Sequence, residues 1–252
     1  MKLLNITSFF EELYPISLKA PYDNVGLMVG SLNKDIKNVY VALDLTRDVM
    51  DDAIKNNADL IITHHPLLFH PLYSIDTDKD PGSIIRDLIK YDISLYAMHT
   101  NFDSVKMNNL LGNMLNITNQ ELLSEKENCG IIGDSPISDF NKFVNFVKKT
   151  FSLDEIYYVG RDDINIKRVA LCAGSGTSMI SDAYNKKADI YLTGDLSYSR
   201  ALESSRLGLN ILVIPHYIEH LFSHQVVEDM NNIDNTLKVI VSKINPNPFK
   251  KY

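Results

Sequence analysis

The chain has 252 residues, 45% apolar and 23% charged, a globular composition that excludes wholesale disorder and fits either one large core or two ordinary lobes. Its 25 basic and 32 acidic side chains leave a formal charge of −7, which disfavours a diffuse electrostatic grip on nucleic acid or anionic lipid. Two cysteines, Cys129 and Cys172, are too few for a disulfide framework, no run suits a membrane span, and Glu11 and Glu12 interrupt any signal peptide, so a cytoplasmic location is expected.

The first predicted element is an amphipathic helix over residues 7–18. The strand VYVAL (39–43), a helix over 48–57 and the strand DLIIT (59–63) follow. Residues 70–82 (HPLYSIDTDKDPG) form a long polar excursion, read as a surface loop in preference to a lid. A helix over 83–91, the strand ISLYAM (93–98) and a helix over 108–115 come next. Then the series restarts: an amphipathic helix over 137–151, RVALC (168–172), a helix over 178–187, DIYLT (189–193), a helix over 198–207 and NILVI (210–214). Such alternation predicts an α/β architecture with largely parallel strands. The stretch CAGSGT (172–177) lacks a P-loop lysine and reads as a tight turn rather than a phosphate cradle.

The restart is a repeat. An offset of 130 residues superimposes Val29-Gly30 on Val159-Gly160, Ile36-Lys37 on Ile166-Lys167, Val39 on Val169, Asp52-Ala53 on Asp182-Ala183, Ala58-Asp59 on Ala188-Asp189 and Thr63 on Thr193. After a shift in spacing, SLYAMH (94–99) lies over ILVIPH (211–216). The expectation is two similar α/β lobes from an internal duplication, 1–125 and 126–252, with the carboxyl-terminal segment free to pack back on the first. Their sheets should be mixed and mostly parallel, with flanking helices and a metal site between the lobes.

Four predicted strands end in polar residues suited to catalysis or metal binding. His64-His65 follows DLIIT; His99 and Asp103 (HTNFD) follow ISLYAM; Asp195 follows DIYLT; His216 and Glu219 (HYIE) follow NILVI. Ligands of open α/β sheets bind at the carboxyl ends of strands, so the convergence carries more weight than any one residue. Pro66 disfavours helix at His65 and keeps that dipeptide extended. The count suits a dinuclear site: imidazoles from His64, His65 and His216, with carboxylates from Asp103 and Glu219 able to bridge two cations. His99 is placed beside the ligands and Asp195 behind them; His70, His220 and His224 are left outside. Mixed N/O ligation admits Zn, Fe, Mn, Co or Ni without selecting one. A rival pattern is HYIEH (216–220), the H-x-x-E-H of an inverted-zincin-like peptidase, which needs a helix where Ile214-Pro215 has just ended a strand.

The segments DNVGLMVG (23–30), THHPLLF (63–69), HTNFD (99–103), GSG (174–176), TGD (193–195) and HYIE (216–219) resemble, in order, those of the NIF-three (NGG-interacting factor three) family, the GTP cyclohydrolase I type 2 homologs or dinuclear metal centre proteins. The resemblance implies two metal ions on His64, His65, Asp103, His216 and Glu219, with Asp103 and Glu219 able to touch both. It also implies a ring-shaped homohexamer. The sequence departs from the family in three places. Tyr22 stands where Trp is usual, Ser104-Val105-Lys106-Met107 replaces a double glycine, and Gly194-Asp195 lacks the following histidine pair, leaving Asp195 and Tyr198 as candidate catalytic groups. The expected function is a metal-dependent hydrolase acting on a nucleotide or small phosphorylated substrate. Non-catalytic metal storage, metal delivery or a regulatory oligomer is the alternative, and the peptidase is a minor one.

Overall fold

A computed structural model describes residues 1–250. Helix α1 (Leu3–Leu13) precedes strands β1 (Gly26–Val29) and β2 (Asn38–Ala42), then α2 (Arg47–Lys55), β3 (Leu60–Thr63), α3 (Gly82–Lys90), β4 (Ser94–Ala97) and the single turn α4 (Thr100–Phe102). A π-helical turn, Asp103–Met107, runs into α5 (Asn108–Met114), followed by β5 (Thr118–Ser124), β6 (Cys129–Asp134), α6 (Phe140–Thr150) and β7 (Tyr157–Val159). Strand β8 (Arg168–Leu171), α7 (Ile180–Asn185), β9 (Ile190–Thr193), α8 (Tyr198–Leu207) and β10 (Asn210–Val213) complete the second series. A 3-10 stretch, His216–Leu221, leads to α9 (Phe222–Ile233) and β11 (Lys238–Val241).

The chain forms two compact units, one of residues 1–102 with 220 onward, the other Asp103–Glu219. In the first, the strand order is β1-β4-β3-β2-β11, with β4, β3, β2 and β11 parallel and β1 antiparallel at the edge. In the second it is β5-β6-β8-β9-β10-β7; β8, β9 and β10 are parallel, while the β5–β6 hairpin and β7 add antiparallel partners on either side. Both units are thus mixed α/β, and the second is less parallel than expected because the hairpin was not legible as strands. The repeat boundary at residue 125 falls in the turn of that hairpin, whereas the units change over at 102/103 and 219/220. Strand β11 pairs with β2 in the first unit, and α5 packs on β5 and β6 in the second.

Buried side chains explain the elements. Leu3, Ile6, Thr7 and Phe10 form the inward stripe of α1, and the helix stops at Tyr14 because Pro15 disfavours helix at the residue before it. The expected span 7–18 therefore lies some four residues too late. Tyr40, Met50, Ile61, Leu88 and Leu95 fill the first core; Leu123, Ile132, Ile180, Tyr191 and Ile211 fill the second. Residues 70–82 make a largely exposed loop.

The duplication is visible in hydrogen bonds. The Asp59 carboxylate accepts from the amides of Lys37 and Asn38 at 2.9 and 2.8 Å. Its counterpart Asp189 accepts from Lys167 and Arg168 at 2.7 and 2.8 Å. Strand register corrects the expected overlay at the last parallel strand. Leu60 pairs with Ser94 and Ile190 with Asn210, so Ser94 corresponds to Asn210 rather than Ile211. His99 and His216 are consequently not equivalent: Pro215 occupies the His99 position, and His216 comes one residue later.

Candidate metal centre

In the first unit, β3 is buried at every position and delivers His64-His65 at its carboxyl end. Where an extended dipeptide was expected, the chain bends at His64 and His65 as β3 ends; the amide of His65 donates to Leu43 O at 3.0 Å and Thr63 Oγ1 donates to His65 O at 2.9 Å. His64 is fully buried, and its Nδ1–H donates to Met98 O at 2.8 Å. A carbonyl only accepts, so this bond fixes the tautomer and leaves Nε2 as the coordinating nitrogen. Asp44, just beyond β2, binds His65 Nδ1 at 2.7 Å; Asp23 binds His99 Nδ1 at 2.9 Å. The imidazoles of His64, His65 and His99 present ligand atoms within 4.8 Å of one another, a grouping that can hold a metal ion. Burial would raise the Asp23 carboxyl, but hydrogen bonds from His99 and Thr100 outweigh it and hold the group well below the usual carboxylate range. Asp23 is therefore an anion that steers His99.

The second unit gathers carboxylates. Asp103 opens the π-helical turn, a distortion often found at functional sites, and one of its oxygens lies within 4.8 Å of a Glu219 oxygen. Glu219 is buried and one 3-10 turn after His216, where residues three apart eclipse; its Oε2 sits 3.0 Å from His216 Nε2. The other ring nitrogen of His216, Nδ1, is 2.6 Å from Asp195 Oδ2. Hydrogen bonding to Glu219 raises the His216 pKa to about 9, partly opposed by burial and assisted by Asp195. Without an ion, the Glu219–His216 pair thus shares a proton at neutral pH. Asp195 takes a left-handed backbone (φ 49°), as short polar side chains tolerate.

A glycine makes room for this pair. A Cβ on Gly174 would lie 2.4 Å from Glu219 Oε1 and 3.3 Å from His216 Nε2, at a φ of +58°. The CAGSGT stretch is thus a wall behind Glu219; Tyr191 Oη donates to Gly176 O at 2.7 Å and the Gly176 amide to Thr193 Oγ1 at 3.0 Å, which pins it as a tight turn.

The predicted ligands therefore fall into two half-sets: His64 and His65, with His99 added, in one unit, and Asp103, His216 and Glu219 in the other. Asp195 bonds the Nδ1 of His216. Tyr198 begins α8 and is 81% exposed. Sequence reasoning missed the anchoring roles of Asp23 and Asp44, although both stand in or beside strand-end segments. The H-x-x-E-H geometry is absent, because a 3-10 turn puts Glu219, not His220, on the His216 face; His220 instead lines a cavity with His224, Asp44 and Asp48.

Mixed α/β units whose strand ends carry oriented imidazoles and carboxylates define a class of protein equipped to bind metal. The chain belongs to the Duf34/NIF3 (NGG1p interacting factor 3) family, whose model matches residues 1–248. It is 36% identical to a Clostridium perfringens protein named GTP cyclohydrolase 1 type 2 homolog, over 99% of both chains. A protein of the same name from Lactococcus lactis is 33% identical, again over 99% of both. Among solved structures, a Bacillus cereus protein related to NIF3 is similar with a TM-score of 0.90 and 26% identity, covering 100% of this chain and 99% of its own. Among the described residues, no helix is long and apolar enough to cross a membrane.

Proposed function

We propose that His64, His65, Asp103, His216 and Glu219 hold two divalent metal ions, and that the protein is a metal-dependent hydrolase of a nucleotide or small phosphorylated substrate. One observation carries the reading: His64, His65 and His216 each engage Nδ1 with a carbonyl or carboxylate, the arrangement that orients metal-binding histidines. The space kept beside Glu219 and His216 by Gly174 fits it too. When bound, such ions supply Lewis acidity to a phosphoryl oxygen and ease deprotonation of water. The chain's own residues do the rest. Met98 O, Asp44 and Asp195 hold the rings, and the proton that the ion-free pair holds between His216 Nε2 and Glu219 leaves when an ion binds. A cavity of about 440 Å3 lined by Asp44, Thr46, His65, Leu67, Pro246 and Pro248 offers a place for a small molecule beside His65. A homohexamer and a cytoplasmic location belong to the same proposal.

Elemental analysis of the purified protein tests the centre, followed by a turnover screen over nucleotides and phosphoesters. Metal is expected in the native protein and absent from a His64→Ala/Glu219→Ala variant; equal metal content in both would sink the site. A second reading, metal storage or delivery without turnover, is favoured by the lack of a histidine pair directly after Gly194-Asp195, where Leu196-Ser197-Tyr198-Ser199 stands, and by the exposure of Tyr198. Exchangeable metal with no turnover on any substrate of the screen would select it. Light scattering on the eluted species checks the hexamer.

A further inference from the structure

The two cysteines lie 43 residues apart in sequence, yet in the second unit their sulfurs are 3.9 Å apart. Cys129 opens β6 and is half-buried; Cys172 immediately follows β8 and is buried; both are free thiols. A disulfide needs a separation of about 2.05 Å, so the sulfurs must approach by roughly 2 Å. Asn108 ties this pair to the metal-binding half-set. Its Nδ2 donates to Cys129 Sγ at 3.3 Å and to Asp103 O at 3.1 Å, and its Oδ1 accepts from the amide of Ala173 at 2.9 Å. Ala173 sits between Cys172 and Gly174, the residue that walls Glu219 and His216.

We propose that Cys129 and Cys172 are a redox-responsive dithiol, closed by peroxide into an intramolecular disulfide that disturbs Asn108 and the 172–176 turn and so weakens metal retention. The modification itself stands on the sulfur geometry; its effect on metal rests on the reading of Asp103, His216 and Glu219 as ligands. Cys129 is the attacking group. It is the more accessible sulfur, and hydrogen bonds from the Cys172 thiol, the Gly130 amide and Asn108 favour its thiolate against the opposing effect of burial. Its sulfur attacks one peroxide oxygen; the S–O bond forms, the O–O bond breaks and the departing hydroxide takes the thiol proton as water. The Cys172 sulfur then attacks Cys129 Sγ; the S–S bond forms, the S–O bond breaks and the hydroxyl leaves with the second thiol proton as water. Two thiols lose two electrons, and one peroxide becomes two waters.

The test treats the full-length protein with hydrogen peroxide, maps thiols by mass spectrometry and follows zinc transfer to a chromogenic chelator. The expected product is monomer-linked, lighter by two hydrogens, with the Cys129 and Cys172 peptides joined and released by dithiothreitol. Cys172→Ser should stop at a dimedone-trapped sulfenic acid on Cys129, and Cys129→Ser should react far more slowly; Cys129→Ala, with circular dichroism, separates that result from misfolding. Absence of the joined peptide, or equal reactivity of the Cys129 variants, overturns the modification. Oxidation should weaken zinc retention about tenfold, the scale on which groups supporting metal ligands act. Unchanged retention in a protein that binds zinc overturns the coupling. A protein that forms the disulfide but holds no zinc in either state supports the modification and refutes the metal centre instead.

Discussion

The two copies of the repeat keep the same frame and fill its strand ends in opposite ways. Asp59 and Asp189, which clamp the amides that start β2 and β8, make the same bonds in both. At the other end, the 130-residue offset sets His64-His65 against Gly194-Asp195 and Asp44 against Gly174. In the first unit Asp44, just beyond β2, bonds His65, which follows β3. In the second Asp195, just beyond β9, bonds His216, and the position equivalent to Asp44 is a glycine whose missing Cβ leaves room for Glu219. Each set has one enclosed member, His64 in the first and Glu219 in the second, and each anchored pair is partly open: the His65 and Asp44 side chains are 23% and 43% exposed, those of His216 and Asp195 37% and 48%. The two frames match while the carboxyl ends of their strands differ: three imidazoles gather in the first unit, and one imidazole with two carboxylates in the second.

Four experiments press on that contrast, beginning with the strongest. Gly174→Ala puts a Cβ into the Glu219 carboxylate at a left-handed φ, and zinc affinity by competition titration should fall about 100-fold, the upper range for groups supporting a site. Next come the anchors. Asp195→Asn and Asp44→Asn should each cost about 10-fold, and a larger effect of Asp195→Asn would show that the carboxylate-bearing half-set depends more on its anchor. Protons come third. A His216 pKa raised from 6.5 to about 9 means that, without metal, its protonated form adds stability fully present below pH 6.5 and lost as pH rises through 9. Metal must displace that proton, so affinity should climb by about tenfold per pH unit between those limits; calorimetry in buffers of different ionisation enthalpy reads the released proton. Last, Asp59→Ala and Asp189→Ala should each destabilise by about 1–2 kcal/mol, comparably, when followed by thermal unfolding. A large inequality would deny that the two clamps are equivalent.

Much of this was legible because it is written in local patterns. Short β-rich runs such as DLIIT and NILVI are strands for the reason that they look like strands, and chemistry concentrates where they end. The hairpin β5–β6 was not legible: TNQELLS is mostly polar, with only its last two residues buried, and its pairing with CGIIGD supplies what its own residues do not. Residue spacing likewise suggested that His99 matches His216, which only hydrogen-bond register could correct. Asp44 and Asp23 were unreadable as anchors because nothing in sequence brings them to residues 21 and 76 positions away.

Strand β11 lies beside β2, although nearly two hundred residues of chain separate them. On a ribosome, the segment from Asp103 to Glu219 is therefore complete while the sheet that holds His64 and His65 still lacks its last strand. Vectorial synthesis thus finishes the acidic half-set before the edge of the imidazole-bearing sheet is sealed, and a nascent chain stalled short of residue 238 would expose β2 as an open template.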